Sequence, residues 1–294
     1  MGLPEATGGR ELLPELTQHA GHLFWRASAR VHVALGSALP PGIDVRAYAA
    51  LLALADGGTR TQQSIATTID ASGTTIVKVA ADLVERGLVT RVRSPGDRRS
   101  YALTRTAEGA AAARRWRRHV EDVEASLTAA FTAGEREEFR QMLVQICEAD
   151  LAPDTPVALM ESVGFLLTRV HFRLHREFAP ALAPLGIEPR HVGCLTALAA
   201  TGPIPQSQLA RILGVSGASV VQMVDDMERR GLVERRRPDT DRRSQLLHLL
   251  PAAEEVAREA RALSGAVVDE RLAPLSSTER TRLSGYLIRF VTAP

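Results

Sequence analysis

Apolar side chains recur at Ile76, Val79, Ala80 and Leu83, the i, i+3, i+4, i+7 spacing of one helical face. Ser72 ahead of them suits an N-cap and Gly87 behind them a C-terminal cap, which predicts a helix running to Arg86. Val220, Met223, Val224 and Met227 repeat the same stripe far down the chain. Core packing is the reading adopted for both stripes. After Gly87 the period changes to two. LVTRVR (88–93) alternates, SPGDRR turns, and SYALT (100–104) alternates again, which predicts a β-hairpin. Upstream, a first helix is expected over roughly 11–38, with its counterpart over 156–182. A second follows over about 44–55, ended by Gly57–Gly58, and a short one over Thr61–Ile69. Downstream lie a long helix from Glu108 to Phe131 and a last one from Glu135 to Glu148. Four helices, a hairpin and two helices make a mostly α fold. Its centre, two short helices joined by a tight turn and then a hairpin, is a winged helix-turn-helix.

The pattern occurs twice. Sliding the chain on itself by 144 residues lays SGTTIVKVAADLVERGLVTRVRSPGDRRS (72–100) over SGASVVQMVDDMERRGLVERRRPDTDRRS (216–244). Between 40 and 150 there are 35 identities in 111 pairs, about five times the number expected by chance. A unit this long is a duplicated domain rather than a solenoid repeat. The expected organisation is a first domain over 1–150 and a second over 151–294, joined near DLAPDTP (150–156), where two prolines and two aspartates mark a turn or short linker.

Composition changes this picture little. The chain has 294 residues, 45% hydrophobic and 24% charged, an ordinary globular balance. No unbroken apolar stretch, that around Tyr48–Ala55 included, approaches the roughly 20 residues that span a bilayer, and the N-terminus has no secretory pattern. Two cysteines, Cys147 and Cys194, fit a reducing cytoplasm. A net charge of +2 is no polyanion signal, but its distribution is informative. Lys78 is the only lysine, and arginines cluster at 91–99, 114–118 and 229–243. Such clusters are either solvated faces or contacts to an anionic polymer, and arginine's rigid fork suits phosphate and guanine.

The helix SGTTIVKVAADLVERGLV and the wing SPGDRRSYALTRTAEG resemble the MarR family of bacterial transcription regulators. The second copy keeps DRRS at 241–244 and departs after it, with HLLPAA where the first has TRTAEG; Pro251 there suits the first turn of a helix. The resemblance covers nearly the whole chain, twice. Members are homodimers of winged helix-turn-helix subunits with an interlocked helical layer. The resemblance therefore implies a DNA-binding, ligand-responsive repressor whose single chain mimics a homodimer. It also implies a double-stranded DNA operator, and the divergence of Thr74, Thr75 and Lys78 to Ala218, Ser219 and Gln222 makes the expected operator an imperfect palindrome. A monomeric pseudo-dimer is the expected state, with a dimer of pseudo-dimers as the alternative.

A helix-turn-helix places its second helix in the major groove, where its N-terminal residues reach base edges. Those residues are Ser72, Thr74, Thr75 and Lys78 in the first copy, and Ser216, Ala218, Ser219 and Gln222 in the second. Ser72 and Ser216 also read as plain helix caps. Wing arginines Arg98, Arg99, Arg242 and Arg243 suit the narrow minor groove. The resemblance implies that Asp97 and Asp241 pair with a neighbouring arginine and hold its direction. Arg91, Arg93, Arg235 and Arg237 suit the DNA backbone.

No catalytic constellation is expected: Lys78 lacks the glycines of a phosphate loop, and neither GxSxG nor HExxH occurs. No cofactor is expected either. His171 with His175, and His19 with His22, have helical spacing, but no further ligand set accompanies them, so no metal site is assigned and a metal-responsive regulator is an alternative only. Both cysteines fall in apolar patterns and read as small buried hydrophobes rather than redox sensors. The resemblance implies a small-molecule effector between the helical layer and the winged module. Its candidate lining is His22, Trp25, Arg26 and Tyr48 with Phe172 and His175, residue types that suit a phenol or carboxylate. A further alternative is an interaction scaffold in which one winged domain no longer binds DNA.

Overall fold

The computed structural model describes residues 12–93, 101–237 and 245–293. The first repeat runs α1 (Pro14–Thr17), α2 (Ala20–Ala38), α3 (Arg46–Ala53), β1 (Arg60–Thr61), α4 (Gln62–Ile69), α5 (Gly73–Glu85), β2 (Val89–Arg93), β3 (Tyr101–Arg105), α6 (Ala107–Leu127) and α7 (Ala133–Cys147). The second runs α8 (Val157–Met160), α9 (Val163–Leu182), α10 (Pro189–Thr201), β4 (Ile204–Pro205), α11 (Gln206–Leu213), α12 (Gly217–Arg229), β5 (Val233–Arg236), β6 (Leu246–Leu249), α13 (Pro251–Arg271) and α14 (Ser277–Thr292). The mostly helical winged fold is thus present twice.

Two expectations are corrected. The leading helix is not continuous over 11–38 or 156–182. In each copy a single turn, α1 or α8, precedes the long helix. Ser162 starts α9 afresh, its hydroxyl accepting from Phe165 N at 3.0 Å. Apolar spacing continues through such a break, so periodicity alone passes over it. The wing is also three-stranded, not a bare hairpin. β3 pairs antiparallel with both β2 (Val89 opposite Arg105) and β1 (Arg60 opposite Leu103). The second sheet repeats the order β4-β6-β5. Two-residue strands carry no alternation to detect.

Local chemistry sets the element ends. Ser72, Thr106, Thr132, Ser216 and Ser276 cap α5, α6, α7, α12 and α14 through their hydroxyls. The second copy starts α13 on Pro251 instead of a hydroxyl cap, which settles the local departure from the first. The turns between the two helices of each helix-turn-helix go through left-handed residues, Asp70 (φ 53°) and Gly214 (φ 69°), which stand at equivalent repeat positions.

The chain forms two compact units. One comprises the residues up to Arg30 and from Val170 onward; the other is Val31–Arg169. Each unit therefore combines the winged module of one repeat with the leading segment of the other. Leu16 of α1 is 1% exposed in a core made otherwise from the second repeat, including Leu195, Leu209, Val220 and Met227. Leu159 of α8 is buried in the core of Leu51, Ile65, Ile76 and Leu83 of the first repeat.

Candidate nucleic-acid interface

α5 and α12 are the second helices of the two helix-turn-helix modules. Ile76, Val79, Ala80 and Leu83 face the core from α5, and Val220, Met223, Val224 and Met227 from α12, as the sequence stripe requires. The opposite faces are open. Ser72, Gly73, Thr74, Val77, Lys78 and Ala81 are exposed on the first; Gly217, Ala218, Val221, Gln222 and Asp225 are exposed on the second. Thr75 and Ser219 are half-buried.

The N-terminal hydroxyls are partly committed. Ser72 Oγ accepts from Thr75 N at 3.2 Å and lies 2.8 Å from Thr75 Oγ1 and 3.0 Å from Thr74 Oγ1. Ser216 Oγ accepts from Ser219 N at 3.2 Å and lies 2.9 Å from Ser219 Oγ. Both serines therefore act as caps. Gly73, Thr74, Gly217 and Ala218 in these first turns are exposed, and a helix N-terminus favours anionic ligands.

An equivalent tether in each copy fixes the far end of the helix. Arg86 bonds Asp82 at 2.8 Å and donates to Gly42 O at 3.3 Å. In the second copy Arg230 bonds Asp226 at 3.2 Å and donates to Gly186 O. Asp226 also lies 3.1 Å from Nε2 of fully buried His191 and 2.9 Å from Arg229. Burial pushes the Asp226 carboxyl up, but the Arg230 bond and the charges of its neighbours hold it below the usual range. Burial pushes His191 down to about 4, so this imidazole is neutral at pH 7.

The first helix of each module is held from outside its own repeat. Arg26 of α2 donates to Ile212 O at 3.2 Å, and Arg169 of α9 donates to Thr68 O at 3.2 Å and to Asp150 O. Thr68 and Ile212 are equivalent positions, so two arginines meet the same carbonyl twice, in the last turns of α4 and α11. They align when α2 is laid over α9 with a shift of 143, one residue less than in the rest of the repeat; Gly21 and Gly164, Leu23 and Leu166, and Arg30 and Arg173 then coincide as well. The 144-residue slide that revealed the duplication hides this pair.

The strand arginines differ between copies. Arg91 and Arg93 on β2 are exposed. Arg235 is held by Asp225 of α12, at 2.5 Å, and by Glu228. The first copy has Ala81 and Val84 in place of those acids. Arg237 is exposed just after β5. Arg98, Arg99, Arg242 and Arg243, with Asp97 and Asp241, lie outside the described residues.

The effector candidates separate. His22, Trp25 and Arg26 pack together on α10 and α11: the His22 and Trp25 rings are 5.5 Å apart, Trp25 packs on the second-repeat core, and a Cβ on Gly193 would lie 3.8 Å from His22 Nδ1. Burial first, then the Arg26 charge, lowers His22 to about 3. Its Nε2 is buried with no hydrogen-bond partner among the described residues. Phe172 and His175 belong to the same unit and both approach His171, at ring distances of 5.4 and 6.1 Å. Tyr48 lies in the core of the other unit, 9% exposed. Cys147 and Cys194 are buried thiols, and burial pushes Cys194 up to about 12. Among the described residues no group of three His, Cys, Asp or Glu is placed to hold a metal ion, and no helix is long and apolar enough to cross a membrane.

Sequence reasoning named Thr74, Lys78, Ala218 and Gln222 on the exposed faces and omitted Val77 and Val221. The signal for them was available: a valine kept in both copies at a position opposite the apolar stripe.

Comparison with known proteins places this geometry. The model of the MarR family matches residues 42–100 and again 185–244. The "Putative transcriptional regulatory protein for hcr operon" of Thauera aromatica is 33% identical over 143 residues, which cover 48% of this chain and 86% of that protein. A "probable transcriptional regulator" of Pseudomonas aeruginosa of known structure is 33% identical, covering 44% of this chain and 96% of its own, with a TM-score of 0.41. A mutant MarR from E. coli, solved with operator DNA, is 25% identical, covering 45% and 94%, with a TM-score of 0.41. Two capped helix-turn-helix modules with three-stranded wings, and a family match to each, make this chain a member of the MarR family of DNA-binding transcription regulators, carrying the family's domain twice in one polypeptide.

Proposed function

We propose that the chain is a ligand-responsive repressor in which one polypeptide does the work of a MarR homodimer. α5 reads one half-site and α12 the other. The observation that carries this reading is the reciprocal composition of the two units: each winged module is completed by the leading segment of the other repeat, Leu16 and Arg26 in one and Leu159 and Arg169 in the other. A chain that exchanges these segments internally needs no second copy to do so. The two domains of this reading remain the two sequence repeats, 1–150 and 151–294.

The operator is then an imperfect palindrome. Lys78 donates to guanine O6 and N7, whereas Gln222 pairs with adenine N6 and N7, and Ala218 offers a methyl where Thr74 offers a hydroxyl. Arg91, Arg93 and Arg237 take phosphates, and Arg98, Arg99, Arg242 and Arg243 meet the minor groove. The effector reading rests on His22, Trp25 and Arg26, where an aromatic ring, a guanidinium and an unsatisfied imidazole nitrogen lie together beside the helix-turn-helix. This grouping suits a phenol or carboxylate. Binding there would act on the Arg26–Ile212 bond and so on α11.

Selection from random duplexes by the full chain, followed by light scattering of the complex, tests the reading. One chain per operator is expected, with half-sites about one helical turn apart. Two chains per operator, each supplying one wing, would sink it. A second reading, in which the second module has lost DNA contact, is favoured by one observation: Arg235 is already held by Asp225 and Glu228. A footprint covering one half-site only would decide for it.

A further inference from the structure

The open face of each recognition helix carries one large side chain with no polar group. α5 turns Thr74, Val77, Lys78 and Ala81 outward at i, i+3, i+4 and i+7; α12 turns out Ala218, Val221, Gln222 and Asp225. Val77 is 51% exposed and Val221 44%. Six large hydrophobic side chains are exposed among the described residues: Val33, Val77, Tyr101, Val157, Val221 and Leu263. Only Val77 and Val221 correspond to each other in the repeat. A single exposed apolar residue needs no explanation, but the same one at the same place in two diverged copies does. Packing does not supply it, since both face away from the core. Helix propensity does not either, because a β-branched residue is a poorer choice than alanine on an exposed helix. Of the four outward positions, the valine is the only one identical in both copies.

We propose that Val77 and Val221 are specificity-determining residues, each packing on the 5-methyl group of a thymine in the major groove, so that both half-sites share a thymine there. The inference rests on α5 and α12 being the base-reading helices. Valine has no donor or acceptor with which to engage guanine, adenine or cytosine edges. Thymine alone presents a methyl group in the major groove. Covering that methyl removes apolar surface of both partners from water. Each valine directly precedes the residue expected to read polar edges, Lys78 or Gln222, and Arg91 and Arg93 are exposed on the neighbouring strand of the first copy. The operator is therefore symmetric at the valine contacts and asymmetric at the Lys78 and Gln222 contacts.

Uracil-for-thymine replacement tests this, because it removes only the methyl group. The probe is the duplex selected by the full chain, with each thymine replaced in turn. The wild-type chain should lose roughly fourfold in affinity, the scale of one buried methyl, at one thymine in each half-site, at symmetric positions. Val77→Ala should abolish the sensitivity in one half only, and Val221→Ala in the other. Both side chains are exposed, so both variants keep the fold. If no replacement weakens wild-type binding, or if both variants remain as sensitive as wild type, the valine contact is wrong. If the sensitivity is absent while Lys78→Gln still changes the preferred base in one half-site, the helices read DNA and only this inference fails. If no duplex is selected at all, the inference falls together with the functional reading beneath it.

Discussion

Arg169 is buried to 1% exposure and donates to two carbonyl oxygens, Thr68 O at the end of α4 and Asp150 O after α7. Arg26, 7% exposed, does the equivalent for Ile212. Removing such a donor leaves buried acceptors unpaired, at about 1–3 kcal/mol. Arg169→Ala should therefore lower the urea midpoint of unfolding, and an unchanged midpoint would refute the tether. His171 behaves differently. It is 5% exposed, and burial first, then the neighbouring His175, lowers it to about 3. Its folded value lies below the unfolded one, so its contribution is complete above about pH 6.5 and is lost as pH falls. At pH 5 the loss is about 2 kcal/mol. His171→Phe should flatten the decline in thermal midpoint between pH 7 and pH 5; an equally steep decline in the variant would show that this imidazole is not the cause.

Elements in this chain are set largely at their ends. Ser72 and Ser216 hold the first turns of the recognition helices, and alanine at either should cost about 1 kcal/mol of stability. Gly109, in the first turn of α6, is constrained by contact rather than by dihedral. A Cβ there would stand 2.0 Å from Leu88 O, a backbone atom that moves only with β2. Gly109→Ala should cost about 1–3 kcal/mol, the range of overpacking. Gly73→Ala meets nothing within 4 Å and should be neutral or stabilising, by up to about 1 kcal/mol. Equal effects of the two glycine substitutions in chemical denaturation would contradict the contact. The second copy carries Ala253 at the position of Gly109, and there α13 begins on Pro251 rather than on a capped threonine.

Across the whole molecule, duplication has left two winged modules of unequal charge. Among the described residues Lys78, Arg91 and Arg93 are exposed in the first copy, whereas in the second Arg235 is shared between Asp225 and Glu228. Asp225→Ala restores the first copy's arrangement and releases part of that hold. It should tighten binding to the selected duplex and steepen the salt dependence by about one counterion. An unchanged slope would mean that Arg235 does not reach phosphate even when released.

The sequence determined the fold class, the duplication, the capped recognition helices and most of their open faces. These depend on near neighbours in the chain: a stripe of period 3.6 at 76–83, hydroxyl caps at 72 and 216, and a change to period two after Gly87. It could not reveal that α1 and the first part of α2 join the unit of the second module, while α8 and the first part of α9 join that of the first. The leading segments are apolar on one face whichever core they enter, and amphipathic periodicity does not name the partner surface. For the same reason Arg26 was legible as a residue type but not as the donor to Ile212 O, 186 positions away. The third strand of each wing, two residues long, exists only because β3 and β6 offer it an edge. Only tertiary packing decided which arginines are committed to carbonyls and carboxylates and which face outward, because that depends on what the folded chain brings beside each one.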